Sequence, residues 1–390
     1  MLATSKRRRA LGLLSAWVFA GVLAVVGLGG CASPPAACQA RQWVFAGSDA
    51  GRVLALPLDA CSGRLGPAVA VADVPKPRWL LAHPRQPVLY ATTDSAPEGG
   101  RVLAFNVDRG SAALQPLNAA PAGGGSTTQL WLDLPSQALA VANFANGTTS
   151  TLALQPDGRL GGSVSTVAGT GSGPHRRQNG PHAHGVAVDP SHRWVLTADL
   201  GADRLFVNGY DPATRQLQAE DLDQPRALAL PAGSGPRHFV FGADGRFVYL
   251  LNELSADIAV LRWNADNGRL SAVQTVPLSR AGFTGTKSGS GIVISADGRT
   301  IYAGERGEHH VVVLAVNPGS GELSLLQHMP SGGELPWALA LQPQGRWLLV
   351  ANQRSHSIKL FGVDPDSGRL FDTGQSTALQ SPVSLAFLPD

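Results

Sequence analysis

Short apolar runs bounded by turn residues recur along the chain. They read "WVFAG" from Trp43, "VLYAT" from Val88, "ALAVA" from Ala138, "WVLTA" from Trp194, "FVYLL" from Phe247, "TIYAG" from Thr300 and "WLLVA" from Trp347. Runs this short, entered after Gly-Arg or similar turns and left through polar pairs, predict buried β-strands. Their starts lie about 45 to 56 residues apart, the span of a four-stranded propeller blade. Seven copies therefore predict seven blades. The clearest carry an upstream strand joined by a Gly-Arg turn, as in "HFVFGADGRFVYLLNE", "GIVISADGRTIYAGER" and "WALALQPQGRWLLVANQ", which is the pattern of an antiparallel hairpin. Downstream, "IAVLRWNADNGRL" and "SIKLFGVDPDSGRL" add a third strand and a turn, and a short fourth strand is expected after each.

The two ends of the repeat complete one another. "SPVSLAFLPD" at the C-terminus reads as an inner strand with no partner after it, while "RQWVFAGSDAGRVLALPL" begins at a second strand with none before it. Pairing them closes an all-β, seven-bladed ring and removes the open sheet edges that an unclosed array would expose. Composition adds that residues 41–390 form one domain: 46 Gly and 28 Pro punctuate short strands, and no long amphipathic helix pattern follows residue 40.

The first 40 residues read differently. Lys6, Arg7, Arg8 and Arg9 precede an apolar run from Ala10 to Gly30, the layout of a signal peptide over residues 1–30 or of a plain membrane anchor. "LGGC", Leu28 to Cys31, looks like a bacterial lipobox. That likeness implies cleavage before Cys31, its acylation, and a linker over residues 31–40. Ala32 then points to an outer-membrane lipoprotein facing the periplasm. The full chain is formally +3; without the four basic side chains of the leader the remainder is −1, so no nucleic-acid footprint remains. If "RQWVFAGSDAGRVLALPL" turns between Asp49 and Ala50, Cys38 falls opposite Cys61, and a disulfide between them is expected in an oxidising compartment. Two free thiols are the alternative.

In a blade, the inner strand and its neighbour are antiparallel, so the start of one and the end of the next share one end of the channel. That rule collects Arg78, Trp79, Gln129, His182, His184, Arg237, His238, Ser290 and Trp337 from inner-strand starts. From second-strand ends it collects Asp94, Asn143, Asp199, Glu253, Arg306, Asn352 and Gln353. A rim of His, Glu, Arg and amide groups has the makings of an acid/base and anion-binding site.

Several of these segments resemble the seven-bladed propeller lactonases, a family that includes one type of 6-phosphogluconolactonase and the carboxymuconate-lactonising enzyme. "GSGPHRRQNGPHAHGVAVDP" (Gly171 to Pro190) and "GPRHFVFGADGRFVYLLNELS" (Gly235 to Ser255) carry the resemblance, with "ADLGADRLFVN" and "VANQRSHSIKLF". It implies His182, His184 and Glu253 as catalytic groups and Arg237 as substrate-binding, with Arg306 and Gln353 as further candidates; from the rim, Asp199 and Asn143 are added as substrate-binding groups. Gln129, Thr93-Asp94 and Glu305 depart from the family pattern.

Each candidate also has a structural reading. His182 and His184, two apart, face one side of a regular strand and could bond backbone carbonyls; a metal at His-x-His lacks an assignable third ligand. Glu253 could be a plain ion-pair partner of Arg237 or Arg306. Trp79 and Trp337 read as packing groups, and Arg176 and Arg177 as solvated surface. The favoured function is hydrolysis of a small, unphosphorylated sugar lactone by general acid/base catalysis, with no cofactor or metal and as a monomer. The rival is a non-catalytic envelope propeller that binds a protein, glycan or small ligand.

Overall fold

The structure, a computed structural model, describes residues 41–96, 99–221 and 223–389. Among them there is no helix; thirty strands form seven antiparallel sheets. Inner strands touch in the cyclic order Leu80–Ala82, Thr127–Asp133, Ala183–Val188, Pro236–Phe241, Gly289–Ile294, Pro336–Leu341, Pro382–Phe387, and the last returns to the first. This is the expected seven-bladed ring. The second strands of six blades begin at Val88, Ala138, Trp194, Phe247, Thr300 and Trp347, the positions at which the apolar runs start.

Closure also follows the sequence. Arg41–Ser48 pairs with Pro382–Phe387, setting Val44 against Phe387 and Ala46 against Leu385. The hairpin with Arg52–Asp59 turns on Ala50 and matches Arg41 to Asp59, one residue away from the register that would set Cys38 opposite Cys61. Cys61 is disulfide-bonded; Cys38 lies outside the described residues, as do the leader, Cys31 and the 31–40 linker.

Neighbouring blades are stitched by a repeated contact. The outer turn after Asp257–Asn264 holds Gly268 at φ +66, where a side chain would collide with the Trp194 ring of the preceding blade. Trp194 Nε1 donates to Ala265 O in that same turn at 2.8 Å. Trp347 repeats the arrangement against Gly63 and Ala60 O, sealing its blade to the one built on Arg41–Ser48. Between blades, wholly buried side chains such as Tyr249, Ile301 and Val312 pack as shared cores, each contributing about 1.5–3 kcal/mol by its removal from water.

One irregularity recurs where the inner strands begin. Thr128, His184, Arg237, Trp337 and Val383 are each an extra residue opposite their second strand, and Ser290-Gly291 share a similar slip. A bulge breaks the two-residue alternation and redirects the inserted side chain. Thr128, His184, Arg237, Trp337 and Val383 all line a single axial cavity of about 650 Å³.

Candidate active site

Behind the cavity residues Arg177, His184 and Arg237, the buried Glu253 is the hub. It follows the last residue of Phe247–Asn252, and its carboxylate is 4% exposed. Oε2 accepts from Arg237 Nε at 2.9 Å; Oε1 pairs with Arg306 Nη2 at 3.0 Å and accepts from Arg177 Nη1. His184 Nε2 stands 3.9 Å from Oε2. Burial alone would raise the Glu253 pKa, but Arg306, Arg237 and Arg177 together overcome it and hold the carboxyl at about 2. So strongly held an anion is a poor base at neutral pH, and it is the shared partner of three guanidinium groups.

Two of those groups are fixed in the wall. Arg237 also donates to Ser290 O at 2.5 Å and to His238 Nδ1 at 3.0 Å, and Arg306 donates to Gly289 O at 2.9 Å. The Trp337 ring lies 4.7 Å from the Arg306 guanidinium carbon and 5.8 Å from that of Arg237, within cation–π range. Burial, then repulsion from Arg306, lowers the Arg237 pKa to about 9, which leaves it charged at pH 7.

The histidines divide their roles by their surroundings. A guanidinium can only donate, so the bond from Arg237 makes His238 Nδ1 an acceptor and puts the ring proton on Nε2. His184 lies edge-on to His238, centroids 4.9 Å apart, and to Phe144 at 5.7 Å, and it lines the cavity. Burial first, and Arg237 second, push both imidazoles well below the ordinary histidine value of 6.5. Both are therefore neutral at pH 7, and His184 keeps a ring nitrogen free to accept a proton.

Other sequence candidates sit elsewhere. His182 does not reach the cavity: its Nδ1 bonds Phe144 O at 2.8 Å, its Nε2 lies 3.2 Å from Asn179 Oδ1, and its ring stacks on Phe144. The bulge at His184 separates two residues that a regular strand would set on one side. Asn143 bonds Thr127 Oγ1 and Ala122 O. Asp199 Oδ1 accepts the backbone N–H groups of His182, Gly201 and Ala202, and Gln353 bonds Asp49. Asn143 and Asp199 are last residues of second strands, Asn143 tied back to the segment before Thr127–Asp133 and Asp199 to the turn that follows it; Phe144, Glu253 and Arg306 stand one position later, nearer the site.

Arg177 is the residue that the surface reading of the sequence missed. Its neighbour Gln178 is wholly buried and donates to Leu200 O and Asp203 Oδ1, pinning the loop that ends at Pro181. Arg177 thereby reaches across the mouth to Glu253 with its side chain 41% exposed. Its place inside the most motif-rich segment was the available signal.

Comparison with known proteins meets this geometry. Residues 43–387 match the family described as "Lactonase, 7-bladed beta-propeller". The chain belongs to that family. It is 30% identical over 336 residues to a 6-phosphogluconolactonase of Bacillus subtilis (strain 168), covering 86% of this chain and 94% of the other. A second 6-phosphogluconolactonase, from Formosa agariphila, is 29% identical over 79% of this chain and 87% of its own. Among solved structures, the periplasmic gluconolactonase PpgL of Pseudomonas aeruginosa superimposes with a TM-score of 0.83 at 33% identity, covering 89% of this chain and 99% of that one. A lactonase propeller supports lactone hydrolysis. Its needs are a proton acceptor for water and fixed donors for the tetrahedral oxyanion; a neutral imidazole at His184 and guanidinium donors at Arg177 and Arg237 are groups of those two kinds on the cavity wall.

Proposed function

We propose that the protein is an exported, lipid-anchored lactonase that opens a small, unphosphorylated sugar lactone by general acid/base catalysis. The observation that carries the reading is that His184, Arg237 and Arg177 line a cavity that can hold a small molecule and meet the buried Glu253 behind its wall. His184 takes a proton from the attacking water. Arg237 and Arg177 stabilise the carbonyl oxygen as it becomes negative, and protonated His184 returns its proton to the ring oxygen that leaves. Glu253 holds the arginines and favours the imidazolium that forms.

The leader and "LGGC" support export and acylation at Cys31, and a periplasmic gluconolactonase is among the similar structures. A phosphorylated sugar is a cytosolic metabolite, so a periplasmic address favours an unphosphorylated lactone. The test is acid release from glucono-lactone and its aldonolactone relatives by the full-length protein in detergent, measured below pH 7 to suppress spontaneous opening. Turnover that disappears in the His184→Asn variant supports the proposal. Ligand binding without turnover would support the binding-propeller reading instead. Incorporation of labelled palmitate, lost in Cys31→Ser, tests the anchor.

A further inference from the structure

Charge at the mouth is unbalanced. Three guanidinium groups face one carboxylate, the two imidazoles are neutral, and the cluster carries +2. Across the same mouth, on the far side of the ring, the charges are matched: Arg78 pairs with Asp49 at 2.8 Å, and Asp94, bonded to Ser126, faces the cavity together with Lys76. Hydrolysis changes the ligand's own charge. Water's oxygen joins the carbonyl carbon, the ring C–O bond breaks, one water proton ends on the released alcohol oxygen, and the new carboxylic acid gives the other to solvent. A neutral lactone enters and a carboxylate remains.

We infer that this site holds the ring-opened carboxylate more tightly than the lactone, and that Arg177 is the residue that seats it, making the reaction self-limiting through its own product. This rests on the lactonase reading above. Arg237 and Arg306 are 3% and 6% exposed and bound to backbone carbonyls as well as to Glu253. Arg177 differs. It lines the cavity, more than a third of its side chain is exposed, and Nη1 alone is bonded to Glu253. Its remaining N–H groups present the planar fork that pairs with a carboxylate. Because Gln178 anchors the loop from beneath, that fork is held over the mouth at little further entropic cost.

The test uses full-length protein in detergent and gluconate as the probe. Gluconate binding is read from the fluorescence of Trp79, Trp131 and Trp337, which line the cavity, and product inhibition is read from progress curves with glucono-lactone. The expected result is a gluconate inhibition constant at least about tenfold below KM for the lactone, weakening with added salt while KM changes little. Arg177→Gln should remove most of that preference, and Arg177→Lys should restore part of it. An inhibition constant equal to or above KM, or equal gluconate affinity in wild type and Arg177→Gln, would overturn the inference. Gluconate binding that needs Arg177 in a protein without turnover would sink the hydrolase reading and leave the anion seat standing. Turnover without Arg177-dependent binding would do the reverse.

Discussion

Two histidine pairs in this protein look alike until their position is considered. His184 and His238 meet edge to face at 4.9 Å, and His310 and His328 at 6.1 Å. Each pair has an arginine on one ring, Arg237 at 3.0 Å from His238 and Arg280 at 2.7 Å from His310. In all four rings burial and then a neighbouring arginine lower the pKa, and one ring of each pair, His238 and His310, is lowered further by its partner histidine. Yet His310 and His328 sit on the outer strands His310–Val316 and Leu323–Pro330, away from the axial cavity, whereas His184 is a bulged residue at its wall. A shifted imidazole thus follows from burial beside a cation wherever that occurs. Access to a ligand is what the inner-strand bulge adds.

The sharpest way to break the contrast is to remove the hub of the inner pair. Glu253→Ala leaves Arg237 and Arg306 buried without their counter-charge, and the loss of a buried partner costs about 3–5 kcal/mol. Urea unfolding should register that loss, and lactone hydrolysis should fall to background. No comparable effect is expected from Glu308→Ala beside the outer pair, where the carboxylate accepts the exposed Arg280 N–H.

Acidification separates the groups by window. Histidines held below 6.5 in the fold bind protons more readily when unfolded, so stability falls as pH drops through 6.5. Glu253, at about 2 in the fold, stabilises fully above its ordinary value of 4.5 and loses that contribution as pH falls from there toward 2. Hydrolysis should keep its rate below pH 6.5, since His184 stays neutral there, and an acid limb centred at 6.5 or above would contradict the assigned base. Melting temperatures and kcat/KM across pH 4 to 7.5 check both.

Two smaller effects sharpen the comparison. Gly268→Ala forces a side chain into the Trp194 ring at positive φ, and should cost about 1 kcal/mol or more in stability with unchanged kcat/KM. His182→Asn loses a ring bond to Phe144 O worth about 1 kcal/mol, and should slow hydrolysis less than about tenfold, well short of losing a general base.

The blades were legible because strand length, Gly-containing turns and the second-strand starts repeat with a fixed phase. From Val88 to Trp347 those starts coincide with the observed strands. Ring closure was legible because each end lacked the strand the other supplied. The site was less so, and bulges explain why: period-two alternation sets His182 beside His184, while the extra residue in the strand sends them apart. Likewise Asn143 and Asp199 resemble Glu253 in the sequence pattern, but they end their strands and bond backbone groups, and Glu253 stands one residue beyond. Arg177 reaches the site from a loop with no repeating phase, so periodicity gave it no place.

The central claim is that the bulged His184, and not chemistry common to any buried histidine, performs the proton transfer. It is tested most directly by kcat/KM for glucono-lactone in His184→Asn and His310→Asn measured side by side. A fall of about 10²–10⁴ in the first with the second near wild type is the predicted result, with both variants folded by circular dichroism. Wild-type turnover in His184→Asn, or equal losses in the two, would contradict it.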